Sequence, residues 1–182
     1  MKPNKRIGHE AQAFVSETRP REAAFDRPTN DPHFRNKPSG GLWTSTLHDD
    51  GTSAWLDWCE DERWGLTNET VVYALDPEPD ASVFVLDSQG DLLRLLGSFA
   101  RDKDHDLLKP RLTAQIDFEA VAKHYDAIHL TERGQISTRL ATPGLYGWDT
   151  ESTLWLRWAF RAVEEIAPAR DMLQREHPEI EP

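Results

Sequence analysis

A single cysteine, Cys59, is all the thiol chemistry the 182-residue chain contains. An intrachain disulfide is excluded, and so is a zinc site built on a cysteine pair. Positive charge is also scarce: 21 Lys and Arg stand against 32 Asp and Glu, a formal net charge of −11 at pH 7. That balance disfavours non-specific nucleic-acid binding, which needs a positive face. A protein is the better macromolecular target. No apolar run reaches the roughly 18 residues that would span a membrane, and the N-terminus lacks the apolar segment of a signal peptide. A cytoplasmic protein with no membrane association is expected. Several chemical signatures are missing too. There is no Gly-x-Gly-x-x-Gly, no Gly-Lys-Ser/Thr phosphate loop, no Gly-x-Ser-x-Gly elbow and no His-x-x-x-His pair among the seven histidines. No metal is expected.

What is present is aromatic. Seven Trp, seven Phe and three Tyr supply large apolar surfaces and argue for a packed interior despite the modest apolar fraction. The length suits one core better than two. Residues 1–30 are polar and punctuated by Pro20 and Pro28; they read as a peripheral arm, with a short helix around Ala11, Ala13, Phe14 and Val15. Residues 31–176 read as a single α+β domain and residues 177–182 as a tail.

Strands are expected over 42–46, 70–75, 83–87 and 126–131. The apolar run Val83-Phe84-Val85-Leu86 reads as a central strand buried on both faces. Thr52 or Ser53 starts one helix, which carries Trp55, Trp58 and Cys59 on one face. Asp87 or Ser88 starts the next, with Leu92 and Leu96 inward. Asp117 caps a third, with Phe118, Val121, Ala122 and Tyr125 at helical spacing. Gly134 marks a loop. Residues 153–160 fit either period, and the run 161–166 favours helix. The predicted core is Trp55, Trp58, Val83, Val85, Leu92, Leu96, Phe118, Val121 and Trp158. The fold expected is a small, strongly bent or split mixed β-sheet flanked by helices.

Candidate chemistry gathers in two segments. In Lys37-Pro38-Ser39-Gly40-Gly41-Leu42-Trp43-Thr44-Ser45, the glycine pair can take backbone angles closed to other residues and allow close approach to a ligand; it serves equally as a hairpin turn. In Tyr146-Gly147-Trp148-Asp149-Thr150-Glu151-Ser152, two carboxylates and two hydroxyls share a short stretch. Glu151 has a plain structural reading, a carboxylate favoured in the first turn of a helix, with Asp149 as its cap.

These two segments, with Tyr125-Asp126-Ala127-Ile128-His129-Leu130 between them, resemble a family of small uncharacterised proteins of phages and bacteria. Those are similar in turn, by the order and type of their residues, to the ADP-ribosyltransferases, which cradle NAD in a split sheet without a Rossmann motif. The resemblance implies a first basic element at Arg35 or His33, a hydroxyl element at Thr44-Ser45-Thr46 and a late glutamate at Glu151. It implies an NAD-dependent transferase acting on a macromolecular target. Glu151, Tyr125 and Ser45 would be catalytic, and Arg35, Gly40, Gly41, Trp43 and Thr44 would bind NAD in one pocket. The competing expectation is a non-catalytic binding or inhibitor protein of phage or bacterial origin that acts through its acidic surface.

Overall fold

Among the described residues seven strands pair into one mixed sheet, and five helices accompany it. The computed structural model describes residues 8–101 and 112–176. The charge pattern also reads as a linker over 101–106, and Pro110 leaves the segment 107–116 without an assignment; residues 102–111, which hold most of the first and the start of the second, and the tail 177–182 lie outside the described residues. In chain order the elements are β1 (Gln12–Ser16), a 3-10 turn (Glu22–Ala24), β2 (Leu42–Thr46), α1 (Ala54–Asp61), β3 (Val71–Pro77), β4 (Val83–Leu86), α2 (Gln89–Phe99), α3 (Phe118–Val121), β5 (Ala127–Leu130), α4 (Glu132–Thr138), β6 (Ser152–Trp155), β7 (Phe160–Pro168) and α5 (Ala169–Glu176). The sheet order is β4-β5-β6-β2-β1-β3-β7. Only β4 and β5 run parallel, joined through α2 and α3; the other neighbours are antiparallel. The seam between the two halves is narrow, since β1 meets β2 only at Gln12↔Thr46 and Ala13↔Ser45. Among the described residues no helix is long and apolar enough to cross a membrane.

The local signals read from sequence explain most of these elements. Ser88 caps α2 by accepting the Asp91 N–H at 3.3 Å, and Asp117 caps α3 by accepting the Ala120 N–H at 3.0 Å. Each removes one of the unpaired donors at a helix start. Leu92, Leu95 and Leu96 of α2, with Phe118 and Val121 of α3, bury against Ile128, Leu130 and Leu154 of the sheet. Alternate residues of β5 and β6 serve the other face, where Ala127 and Trp155 join Leu75 and Phe160. A third cluster, from Ala13, Leu56, Val72, Met172 and Leu173, ties α1 and α5 to β1 and β3.

Four expectations are corrected. The arm expected over residues 1–30 contains β1, an interior strand with β2 on one side and β3 on the other; pairing on both edges overrides the weak helical pattern of the segment. Val83–Leu86 is not central but the edge strand of the sheet, and Val83, Phe84 and Val85 are only half-buried. The run 161–166, helical by composition, belongs to β7, which pairs along β3 from Val71↔Pro168 to Pro77↔Phe160; long-range pairing outweighs propensity here. Gly134 lies within α4 rather than in a loop. A Cβ there would collide with the Leu86 carbonyl oxygen, so glycine lets α4 pack on the end of β4.

Burial also sorts the predicted core. Leu92, Leu96, Phe118 and Val121 are buried, whereas Trp55, Trp58, Val83, Val85 and Trp158 are half-buried. Cys59 is buried, and burial raises its thiol to about 11, which makes it an inert core residue. Phe118→Ala is expected to cost roughly 3–5 kcal/mol, the range for a fully packed aromatic, and Trp58→Ala distinctly less. Urea melts of the two variants check this; equal losses would contradict the assignment of the main core.

Candidate functional site

The register of β5, β6 and β2 lines up polar residues across a buried stretch of sheet. His129 stands opposite Thr153, and Thr153 opposite Thr44; residues in register share a face. All three are buried. Their polar atoms are matched: His129 Nδ1 lies 2.8 Å from Thr153 Oγ1, Thr44 Oγ1 donates to Gln12 Oε1 at 2.8 Å, and Trp155 Nε1 donates to Thr44 Oγ1 at 2.9 Å. Side chains on a strand alternate, so two residues farther on the same face returns. There β5 and β2 end and β6 begins, and Thr131, Glu151 and Thr46 line one cavity. Glu151 directly precedes β6 and is not in a helix, so a helix dipole does not account for it. Its carboxylate accepts the Thr46 N–H at 3.0 Å and the Thr46 hydroxyl at 3.0 Å. His129 Nδ1 is 3.5 Å from its Oε1, and its side chain is 11 % exposed.

Burial governs the protonation of both groups. It raises the Glu151 carboxyl from 4.5 to about 7, opposed by the hydrogen bonds from Thr46 and reinforced by the negative charge of Glu10. It lowers the His129 imidazole from 6.5 to about 4, opposed by Glu10. At neutral pH the imidazole is uncharged and the carboxyl is near its midpoint. The 3.5 Å approach is therefore not an ion pair. Gly8 packs here as well: a Cβ on it would stand 3.4 Å from that of His129. One oxygen of Glu10, Oε2, is buried without a hydrogen-bond partner among the described residues.

The carboxylate opens on a cavity of about 410 Å³ lined by Thr46, His48, His129, Thr131, Gln135 and Asp149 among others. Asp149 and Thr150 also line a second cavity, of about 320 Å³, on whose walls stand five tryptophans: Trp43, Trp55, Trp58, Trp64 and Trp148. The two cavities thus share a wall, one polar and one aromatic.

The residues nominated from sequence do not all meet there. Glu151 lines the first cavity, and Trp43 and Thr44 line the second. Arg35 lines a third, of about 670 Å³, with Phe34, Lys37 and Tyr146, and donates to Gln115 Oε1 at 3.2 Å. Tyr125 packs edge-on against Phe84 and Phe99 in the main core, away from Glu151. Ser45 is fully buried beside Ser53 and accepts the Trp55 N–H at 3.2 Å, serving the start of α1. Gly40 and Gly41 have the expected positive φ, 76° and 77°. Their freedom serves chain packing: a Cβ on Gly40 would lie 2.7 Å from the Arg27 carbonyl oxygen, and the Gly41 N–H donates to Asp26 O at 2.8 Å. Sequence reasoning nominated neither His129 nor Thr131. Their signal was register, since each follows Thr153 and Glu151 across one strand boundary, and register is invisible before strands are paired.

Compared with protein-family models, curated proteins and solved structures, the chain matches none. Among the described residues no group of three or more His, Cys, Asp or Glu side chains is arranged to hold a metal ion.

The two shifted groups oppose each other in pH. A raised carboxyl means that the folded state holds its proton more tightly, so stability from Glu151 falls as pH rises from 4.5 to about 7. A lowered imidazole means the reverse, so stability from His129 rises between about 4 and 6.5. Glu151→Gln removes the first contribution alone. Its stability relative to wild type is expected to improve between pH 5 and pH 8 by up to about 3 kcal/mol, read from urea melts at the two pH values. A pH-independent difference would show that Glu151 titrates as an ordinary carboxylate.

Proposed function

We propose that the chain is an NAD-dependent ADP-ribosyltransferase-like enzyme whose working carboxylate is Glu151. The observation that carries this reading is the seating of that group. It is nearly buried, held by two hydrogen bonds from one residue, and pushed by desolvation to about 7 at the floor of an accessible cavity. A carboxyl in that state is costly in the free protein and gains most from a cationic partner. The nicotinamide ring of NAD is cationic, and breaking its bond to ribose C1′ spreads positive charge over the sugar.

In the proposed reaction the C1′–N bond breaks and its electron pair leaves with nicotinamide, which departs neutral. The ionised Glu151 stabilises the oxocarbenium-like ribose. An acceptor nucleophile bonds to C1′, and its proton passes to Glu151. The Thr46 N–H and hydroxyl set the orientation of the carboxylate, and neutral His129 beside it adds no competing positive charge. A cytoplasmic site of action and a protein acceptor fit this reading. Ile136 lines the cavity and is exposed, as is Leu140 just beyond α4, while Glu132 and Asp149 line the same cavity. That mixture of apolar and acidic surface suits a protein segment carrying apolar and basic side chains, and does not suit a phosphate backbone. The same surface would serve a non-catalytic binding protein, which the assay below separates.

Nicotinamide release from NAD is expected for wild type. In Glu151→Gln it should fall by roughly 10²-fold or more while NAD binding persists, the scale for loss of one electrostatic contact made in the transition state. Because the ionised form acts, kcat/KM should rise with pH through about 7, the value of the free carboxyl. No NAD binding at millimolar concentration, or equal turnover in the variant, would leave the non-catalytic reading in its place.

A further inference from the structure

Five of the seven tryptophans surround one cavity, and one cation sits among them. Trp55 and Trp58 of α1 stack with ring centroids 4.8 Å apart and planes 13° from parallel. Trp64 tilts against Trp58 at 6.4 Å, and Trp43 meets Trp148 edge-to-face at 4.7 Å. Core packing accounts for Trp148, which is buried in the main core, and for Trp43 against it, but not for the other three, because Trp64 is 61 % exposed and Trp55 and Trp58 are half-buried. Large aromatic faces left at a cavity of about 320 Å³ are surfaces on which a flat heterocycle stacks. The Lys37 ammonium lies 5.6 Å from the centre of the Trp43 ring and lines the same cavity.

We propose that this tryptophan slot binds the base of an adenine nucleotide, with Lys37 on its phosphate and Asp149 or Thr150 on its ribose. The choice between the two rings of a dinucleotide follows from charge. An ammonium on the slot wall opposes a cationic nicotinamide ring and favours a neutral base carrying a phosphate. Asp149 and Thr150 belong to both cavities, so a ligand with its adenine in the slot can extend through that shared wall toward Glu151. The extension to a whole dinucleotide rests on the transferase reading; the binding of an adenine nucleotide in the slot does not. The slot takes over the role that sequence reasoning gave to the glycine pair, whose Gly41 N–H is already bonded within the chain.

The test uses AMP and N1-methylnicotinamide, which carries the cationic ring, as separate probes, each titrated against the intrinsic tryptophan fluorescence of the full chain and checked by calorimetry. AMP is expected to quench saturably and N1-methylnicotinamide to leave the slot signal unchanged. Lys37→Glu and Trp64→Ala should each weaken AMP roughly tenfold or more, the scale of one charged contact or one stacked base. Both positions lie outside the buried core, and circular dichroism confirms folding of each variant. Quenching by N1-methylnicotinamide rather than AMP would overturn the assignment, as would AMP binding that both variants leave intact. Nicotinamide release from NAD without AMP binding would overturn the slot and keep the transferase reading. AMP binding that the two variants weaken, in a protein that leaves NAD uncleaved, would keep the slot and overturn that reading.

Discussion

The desolvation of one carboxyl is the constraint around which the site is organised. Glu151 sits where β6 begins, between the ends of β5 and β2, and two hydrogen bonds from Thr46 are its main compensation. A buried carboxylate with so few donors binds its proton more tightly, which is why it rises to about 7. The strand order makes this placement possible. β6 lies between β5 and β2, so the residue just ahead of it is walled on both sides by neighbouring strand ends. A shift of one residue in the pairing of β6 would turn Glu151 to the other face and Ser152 into its place. The register is fixed by Trp155, whose fully buried ring and Nε1 bond to Thr44 hold β6 against β2.

The same face of the sheet carries two kinds of buried polar group. Thr44, Gln12 and Trp155 form a closed chain of hydrogen bonds and leave nothing over; they specify register and alignment. His129 bonds Thr153, and Glu151 accepts from Thr46, but the two approach each other at 3.5 Å without pairing. An oxygen of Glu10 is unpartnered among the described residues. Both His129 and Glu151 line the cavity, whereas Thr44, Gln12 and Trp155 do not line it.

Much of the α+β character was legible in the sequence. β2, β3, β4 and β5 were visible as β-branched or apolar runs, and α2 and α3 were announced by Ser88 and Asp117, caps that act locally. The strands β1 and β7 were not legible. Their composition favours helix or coil, and what makes them strands is pairing to β3 from opposite sides, a non-local contact that no local pattern carries. Glu151 was found, though its structural reading as a helix-start carboxylate fails because the helical periodicity after it was that of two strands joined by a turn. Ser45 and Tyr125 were chosen for their chemistry alone. Hydroxyls and phenols are as useful for capping a helix or filling a core as for catalysis, and only burial separates the uses. The tryptophans of α1 read as core by spacing, yet they face a cavity. A helical stripe shows which side is apolar, not whether that side is covered.

The central claim is that burial holds the midpoint of the Glu151 carboxyl near 7 until a cation arrives. Its titration can be followed directly by the side-chain carboxyl resonance in protein labelled with ¹³C-glutamate, assigned by comparison with Glu151→Gln. The account predicts a midpoint near 7 in the free protein that moves clearly lower when nicotinamide mononucleotide is added. A midpoint near 4.5 without ligand, or one near 7 that the nucleotide leaves in place, would contradict it.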